Sequence, residues 1–147
     1  MACDSKADGR SAMLCPSAQP WMDGAHVFGI VVGGGTGTEV AWLEEPIPVT
    51  PELLAKTGDV DPQQVFRMSA PCQESACRHF DGAECQLATR IVQILPTVAQ
   101  ALPPCHLRVS CRWYVQEGAP ACFRCPQVIT HTYEPTDQMI QAAMGPA

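Results

Sequence analysis

Seven of the nine cysteines in this chain fall between positions 72 and 125: Cys72, Cys77, Cys85, Cys105, Cys111, Cys122 and Cys125. Their spacing is C-x4-C-x7-C, then nineteen residues, then C-x5-C-x10-C-x2-C. The closing Cys122-x2-Cys125 turn lets two sulfurs point at one centre, as in zinc and iron–sulfur sites. Structural zinc sites usually present two short-spaced pairs, whereas only one is present here. Ligands scattered at four, seven, five and ten residues suit an iron–sulfur cluster better, because clusters accept thiolates from separate loops. The Cys125-Pro126 step also occurs at the end of bacterial ferredoxin motifs, but the full run is absent and the chain is not read as a ferredoxin.

Four cysteines hold one cluster. For a single site the reading is Cys72, Cys77 and Cys85 with a member of the Cys122/Cys125 pair. The competing partition groups Cys105, Cys111, Cys122 and Cys125. With Cys15, also followed by proline, eight cysteines would serve two four-cysteine sites. Buried thiols that merely pack are the bland alternative, and Cys111 suits that role because it falls in an alternating stretch. His79, two residues after Cys77, is a further ligand candidate; His106, adjacent to Cys105, fits a surface or packing role. Cys85 sits near the N-terminus of a predicted helix whose dipole would lower its pKa, so it could also be a reactive thiolate; the Cys122/Cys125 pair could likewise be a thiol redox centre.

The elements that must position these residues read as a small single α+β domain, with an N-terminal β-hairpin and a cysteine-rich, metal-binding C-terminal lobe over about 70–130. Residues 1–24 look irregular, and 25–147 make up the domain. His26–Val32 and Glu39–Leu43 predict the two strands of the hairpin around Gly33–Thr38, whose composition is that of a turn. That glycine run is no nucleotide loop, since a strand follows it and no Gly-Lys-Ser/Thr is present. Glu44–Pro48 should run extended. Thr50 caps a short helix from Pro51 that Gly58 ends, and Asp61–Arg67 suggests another helical turn. The strongest helix prediction runs from Asp81 to about Leu95, with Leu87, Ile91, Ile94, Leu95 and Val98 on one face. Leu107–Val115 alternates like a strand, Ala121–Cys125 reads as a tight helical turn, 126–133 as a strand, and 136–144 as a helix capped by Thr136 or Asp137.

Composition narrows the function. About 46% of residues are apolar, enough for a core without staples. The nine cysteines therefore call for another role. Net charge is −6 with only two lysines, which argues against nucleic-acid binding through a basic surface. Arg78, Arg108, Arg112 and Arg124 lie near cysteines in sequence, where cations would offset thiolate charge. Met1–Lys6 is polar and mixed in charge, unlike a secretory signal, and no apolar stretch is long enough to span a bilayer. The expectation is a cytoplasmic protein in a reducing compartment, where disulfides are rare. It carries an iron–sulfur cluster, 4Fe-4S by preference, and acts in electron transfer, redox sensing or as an accessory to a larger redox enzyme. A protein redox partner is then implied. The alternatives are a zinc-stabilised interaction module and a thiol-redox protein. No serine–histidine–aspartate set or carboxylate pair indicates a hydrolase.

Overall fold

A computed structural model describes residues 13–32, 39–128 and 136–144, with Ser75 and Met144 described by backbone alone. Cys3, the Gly33–Thr38 turn and His131 lie outside the described residues. The chain folds as a mixed α/β domain. Four strands, β1 (Leu14–Cys15), β2 (His26–Val32), β3 (Glu39–Pro48) and β4 (Phe66–Pro71), form one antiparallel sheet in the order β1-β4-β2-β3.

The expected hairpin is present: Val32 pairs with Glu39, Ile30 with Ala41 and His26 with Pro48. β3 absorbs the stretch expected to run extended. The register shifts between Val27 and Gly29 against both neighbours. A Cβ at Gly29 would meet Val40 Cγ1 at 2.5 Å, so any larger residue would force Val40 to shift. Within the N-terminal segment expected to be irregular, the described part carries β1, which pairs with the end of β4 (Leu14 with Pro71, Cys15 with Ala70).

β4 was not expected. Phe66, Met68 and Ala70 join Ala18, Ala25 and Val27 in one apolar cluster. The alternation of a strand turns Arg67 and Ser69 to the opposite face, yet both are buried. Both faces of β4 are therefore covered. On that second face lie Phe28 and the helices.

Thr50 and Asp61 cap the short helices α1 (Pro51–Ala55) and α2 (Pro62–Val65) as expected: Thr50 Oγ1 accepts from Leu53 N–H, and Asp61 Oδ1 from Gln63 N–H. A 3-10 turn (Glu74–Ala76) follows β4. The long helix prediction needs correction at its start. α3 runs Gln86–Ile94, because Asp81 caps a local turn, its Oδ1 accepting from Ala83 and Glu84 N–H at 2.9 and 2.8 Å. That Asx-type turn competes with helix. Ile91 and Leu95 are buried as expected, but Val98 lies beyond the helix end and is 49% exposed. Arg124 Nε donates to Leu95 O and Gln127 Nε2 to Pro96 O, serving carbonyls at the end of α3.

The strand expected over Leu107–Val115 is instead a turn followed by α4 (Arg112–Glu117). A strand would have buried Val109, Cys111, Trp113 and Val115 together; Val109 and Val115 are 87% and 56% exposed. The core-facing residues are Leu107, Cys111 and Tyr114, spaced i, i+4, i+7, with Trp113 buried beside them. Gly118 (φ +79°) turns the chain into α5 (Ala119–Cys122). Cys125–Gln127 is a 3-10 turn, so the strand expected from 126 does not begin there; 129–135 lie outside the described residues. The last helix, α6 (Asp137–Met144), has Thr136 Oγ1 accepting from Met139 N–H and packs on α3, with Arg90 Nε donating to Ala142 O at 2.7 Å.

Candidate metal centres

The eight described cysteines form no disulfide among the described residues and sort into two groups of four. Cys15, Cys72, Cys77 and Cys85 line one cavity with His79, Phe80 and Arg112. Cys105, Cys111, Cys122 and Cys125 line a second with Arg108, Tyr114 and Phe28. Electrostatics follow the same partition. Cys15 feels Cys72, Cys85 and Cys77, whereas Cys111 feels Cys125 and Cys105.

The structure places Cys72, Cys77 and Cys85 on one cavity with Cys15, and Cys122 and Cys125 on the other. Those two join Cys105 and Cys111, the competing partition.

Local structure sets each position. Cys15 and Cys72 meet because β1 pairs with β4: Cys72 N–H donates to Met13 O at 2.8 Å. Cys77 follows the Glu74–Ala76 turn, its N–H bonded to Glu74 O at 2.7 Å. Cys85 and Cys111 are equivalent residues in the two groups, each the N-cap of a helix. The N–H groups of Leu87 and Ala88 turn toward the Cys85 sulfur, and those of Trp113 and Tyr114 toward Cys111, short of full capping bonds. Gln116 clamps the two helices together. Its Oε1 accepts from Cys85 N–H and its Nε2 donates to Cys85 O, both at 2.8 Å.

Burial governs the thiols. It pushes Cys15 and Cys111 up to about 12, and raises Cys85, Cys105 and Cys122. For Cys85 this reverses the sequence expectation: N–H groups at the helix start favour the thiolate, but desolvation outweighs them. The reactive-thiolate alternative loses its electrostatic basis there.

Three arginines interact with the cysteines. Arg112 interacts electrostatically with Cys72 and pairs with Glu74 at 2.5 Å. Arg108 donates to Pro103 O, its charge favours the Cys122 thiolate, and its guanidinium lies 5.7 Å from the centre of the Tyr114 ring. Arg67 donates to Cys125 Sγ at 3.1 Å, to Cys125 O at 2.6 Å and to Pro16 O at 3.0 Å, and lies over the Phe28 ring at 5.3 Å. Arg67 is 1% exposed and, among the described residues, faces no carboxylate. A buried cation without an anion is costly, so thiolate charge at Cys125 and its neighbours would complete the site. Of the arginines singled out in sequence, Arg108 and Arg112 act on cysteines by charge. Arg78 and Arg124 instead serve backbone carbonyls. Arg67 was missed because its nearest cysteine in sequence, Cys72, is not the one it touches.

His79 lines the first cavity, but Arg90 donates to its Nδ1 at 2.9 Å. The neutral ring then carries its proton on Nε2 and offers no free lone pair to a metal. Burial, with Arg78 and Arg90, lowers its pKa to about 4. His106 is exposed.

Among the described residues no three His, Cys, Asp or Glu side chains form a ready-made ligand set for a metal ion. The donor chemistry nevertheless fits a thiolate-ligated group: four sulfurs in each group, and guanidinium donors to balance the charge. Loading would have to displace thiol protons and draw the sulfurs inward. No family model, curated protein or solved structure matches the chain. Among the described residues no helix is long and apolar enough to cross a membrane.

Proposed function

We propose that the protein is an iron–sulfur protein with two centres, each of 4Fe-4S type, one held by Cys15, Cys72, Cys77 and Cys85 and the other by Cys105, Cys111, Cys122 and Cys125. The observation that carries the reading is the sorting of eight cysteines, scattered in sequence, into two groups of four that line separate cavities. Three arginines that interact with the cysteines support it, because a cluster with four thiolates carries net negative charge. The bound groups would supply one-electron couples.

The chain's own residues would do the rest. The cysteines ligate, Arg67 donates to sulfur, Arg108 and Arg112 offset thiolate charge, and Trp113, Phe28 and Tyr114 exclude water. The role is electron transfer to or from a protein partner in a reducing, cytoplasmic setting, where thiols stay reduced.

Protein purified without oxygen should be brown, with about eight iron and eight sulfide per chain. Colourless protein holding two zinc ions would replace this reading with a structural zinc module. Folded protein free of metal would reject both and leave buried thiols.

A further inference from the structure

The two cysteine groups share a wall. Trp113, 1% exposed, lines both cavities, and Pro16 lines the second while its neighbour Cys15 lines the first. Leu14 N–H donates to Ser110 O at 2.7 Å, so the residues preceding Cys15 and Cys111 are hydrogen-bonded to each other. The Arg67 guanidinium spans the rest of the wall, holding Pro16 O with one arm and Cys125 O and Sγ between both. Centres at these groups would be neighbours across one side-chain layer.

The groups differ in charge. At the second, Arg67 donates to Cys125 Sγ, and Arg108, which donates to Pro103 O, acts by charge on Cys122 and Cys105; neither arginine faces a carboxylate among the described residues. At the first, Arg112 acts by charge on Cys72, but Glu74 at 2.5 Å offsets its charge. Arg90 also acts on Cys85 by charge, so the first group has two arginines set against one carboxylate and the second has two arginines set against none among the described residues. Each group has two or more backbone N–H groups turned toward its sulfurs, Ser17, Leu87 and Ala88 in the first and Leu107, Trp113 and Tyr114 in the second. Backbone donors therefore do not separate the two, and the arginine balance decides. Reduction adds negative charge to a centre, and adjacent positive charge stabilises the reduced form.

Resting on the iron–sulfur reading, we infer that the two centres form a directed relay: an electron enters at the Cys15/Cys72/Cys77/Cys85 centre and passes to the Cys105/Cys111/Cys122/Cys125 centre, which has the higher reduction potential. One electron leaves the first centre and arrives at the second, and no bond is made or broken. The ultimate donor is a one-electron reductant such as a reduced partner protein, and in the assay a reduced viologen.

The test is an anaerobic, mediator-coupled redox titration of the iron-loaded protein. The wild type should show two one-electron steps. Arg108→Gln should make reduction of the higher-potential centre about tenfold less favourable, a fall of 59 mV for one electron. Glu74→Gln should raise the lower step by a similar amount and narrow the gap. Both side chains are part-buried, so circular dichroism and full iron and sulfide content must first show that each variant is folded and loaded. Arg67→Gln, at a buried position, should lower the higher step where it folds. A lower step moved by Arg108→Gln, or a higher step moved by Glu74→Gln, would overturn the assigned order. Two coincident potentials with full iron and sulfide would overturn the relay while leaving the clusters standing. Absence of iron and sulfide would remove the relay together with the cluster reading.

Discussion

Arg67→Met separates a residue that supports the bare fold from one that supports a charged centre. Met is apolar and ends about where the Arg Nε lies, so it fills the space of the stem while the guanidinium's place at Phe28 must be closed by neighbouring side chains. In the metal-free protein Cys105, Cys111 and Cys122 hold their protons more tightly than free thiols, and Arg67 is a buried cation among largely neutral groups. Removing it relieves a desolvation cost of several kcal/mol. It also strands Pro16 O and Cys125 O, each worth about 1–3 kcal/mol when left unsatisfied. These effects are of similar size and opposite sign, so the net change in stability should stay within about 2 kcal/mol.

The loaded protein behaves differently. Its sulfurs are thiolates, the guanidinium is a needed counter-charge, and the bond to Cys125 Sγ is charge-assisted. Losing it removes about 1.5–3 kcal/mol that the metal-free state does not lose, or tenfold to a hundredfold in equilibrium. Urea unfolding of the metal-free variant measures the first quantity. Anaerobic iron release to a ferrous chelator reads the second, expected at least about tenfold faster than wild type. A variant that loses about 3 kcal/mol or more in the metal-free state and releases iron at the wild-type rate would refute the argument.

Three further expectations concern the same framework. Cys77→Ser and Cys111→Ser should each lower iron content to about half. The pair Cys72→Ser/Cys77→Ser should do no worse than one of them, whereas Cys77→Ser/Cys111→Ser should abolish iron; the reverse pattern would refute the partition. Gln116→Ala leaves Cys85 N–H without its partner at the start of α3 and should cost about 1–3 kcal/mol by urea unfolding; an unchanged midpoint would show that water replaces the clamp. In the metal-free protein, Cys15 and Cys111 titrate near 12 instead of the ordinary 9.0. Their raised values mean that the unfolded chain releases these protons first as pH climbs. Stability is then retained below about pH 9 and lost above it, by about 1.4 kcal/mol per pH unit for each thiol. A flat urea midpoint between pH 9 and 10.5 would contradict this.

The elements legible in sequence were those whose signal is local. Thr50 and Asp61 each precede a proline that suits the first helical position, and both caps form. His26–Val32 and Glu39–Leu43 carry β-branched runs on either side of a glycine turn, and they pair. β4 was equally local, since Phe66, Met68 and Ala70 alternate with Arg67 and Ser69, but the preceding helical turn drew Arg67 into the wrong element. The region 107–115 defeated period counting for another reason. In so short a window, Leu107, Cys111 and Tyr114 satisfy a helical spacing while Val109, Cys111, Trp113 and Val115 satisfy an alternating one. Burial decides between them, and only tertiary structure supplies it. The cysteines themselves were legible as residues, but their partners were not. Pairing of β1 with β4 carries Cys15 some sixty residues along the chain to Cys72, and no spacing rule registers that.

The sheet is therefore part of the candidate site. β4 lies between β1 and β2, so the residue that reaches Cys125 comes from an inner strand covered on both faces. A strand buried in this way normally carries apolar side chains on both faces. Met68 and Phe66 obey that rule on one face; on the other, at the point nearest Pro16 and Cys125, the chain places an arginine whose Nε, among the described residues, has no hydrogen-bond partner. For the bare fold alone that is a poor choice, because an apolar residue of similar size would avoid the desolvation cost. The choice makes physical sense when the space beside it holds negative charge. Arg108 and Arg112, part-buried, approach the two groups from the helical side, and Arg112 already has Glu74 as its partner. The buried Arg67 guanidinium at Cys125 is thus a reason to look for an anionic occupant that does not depend on the cysteine spacing.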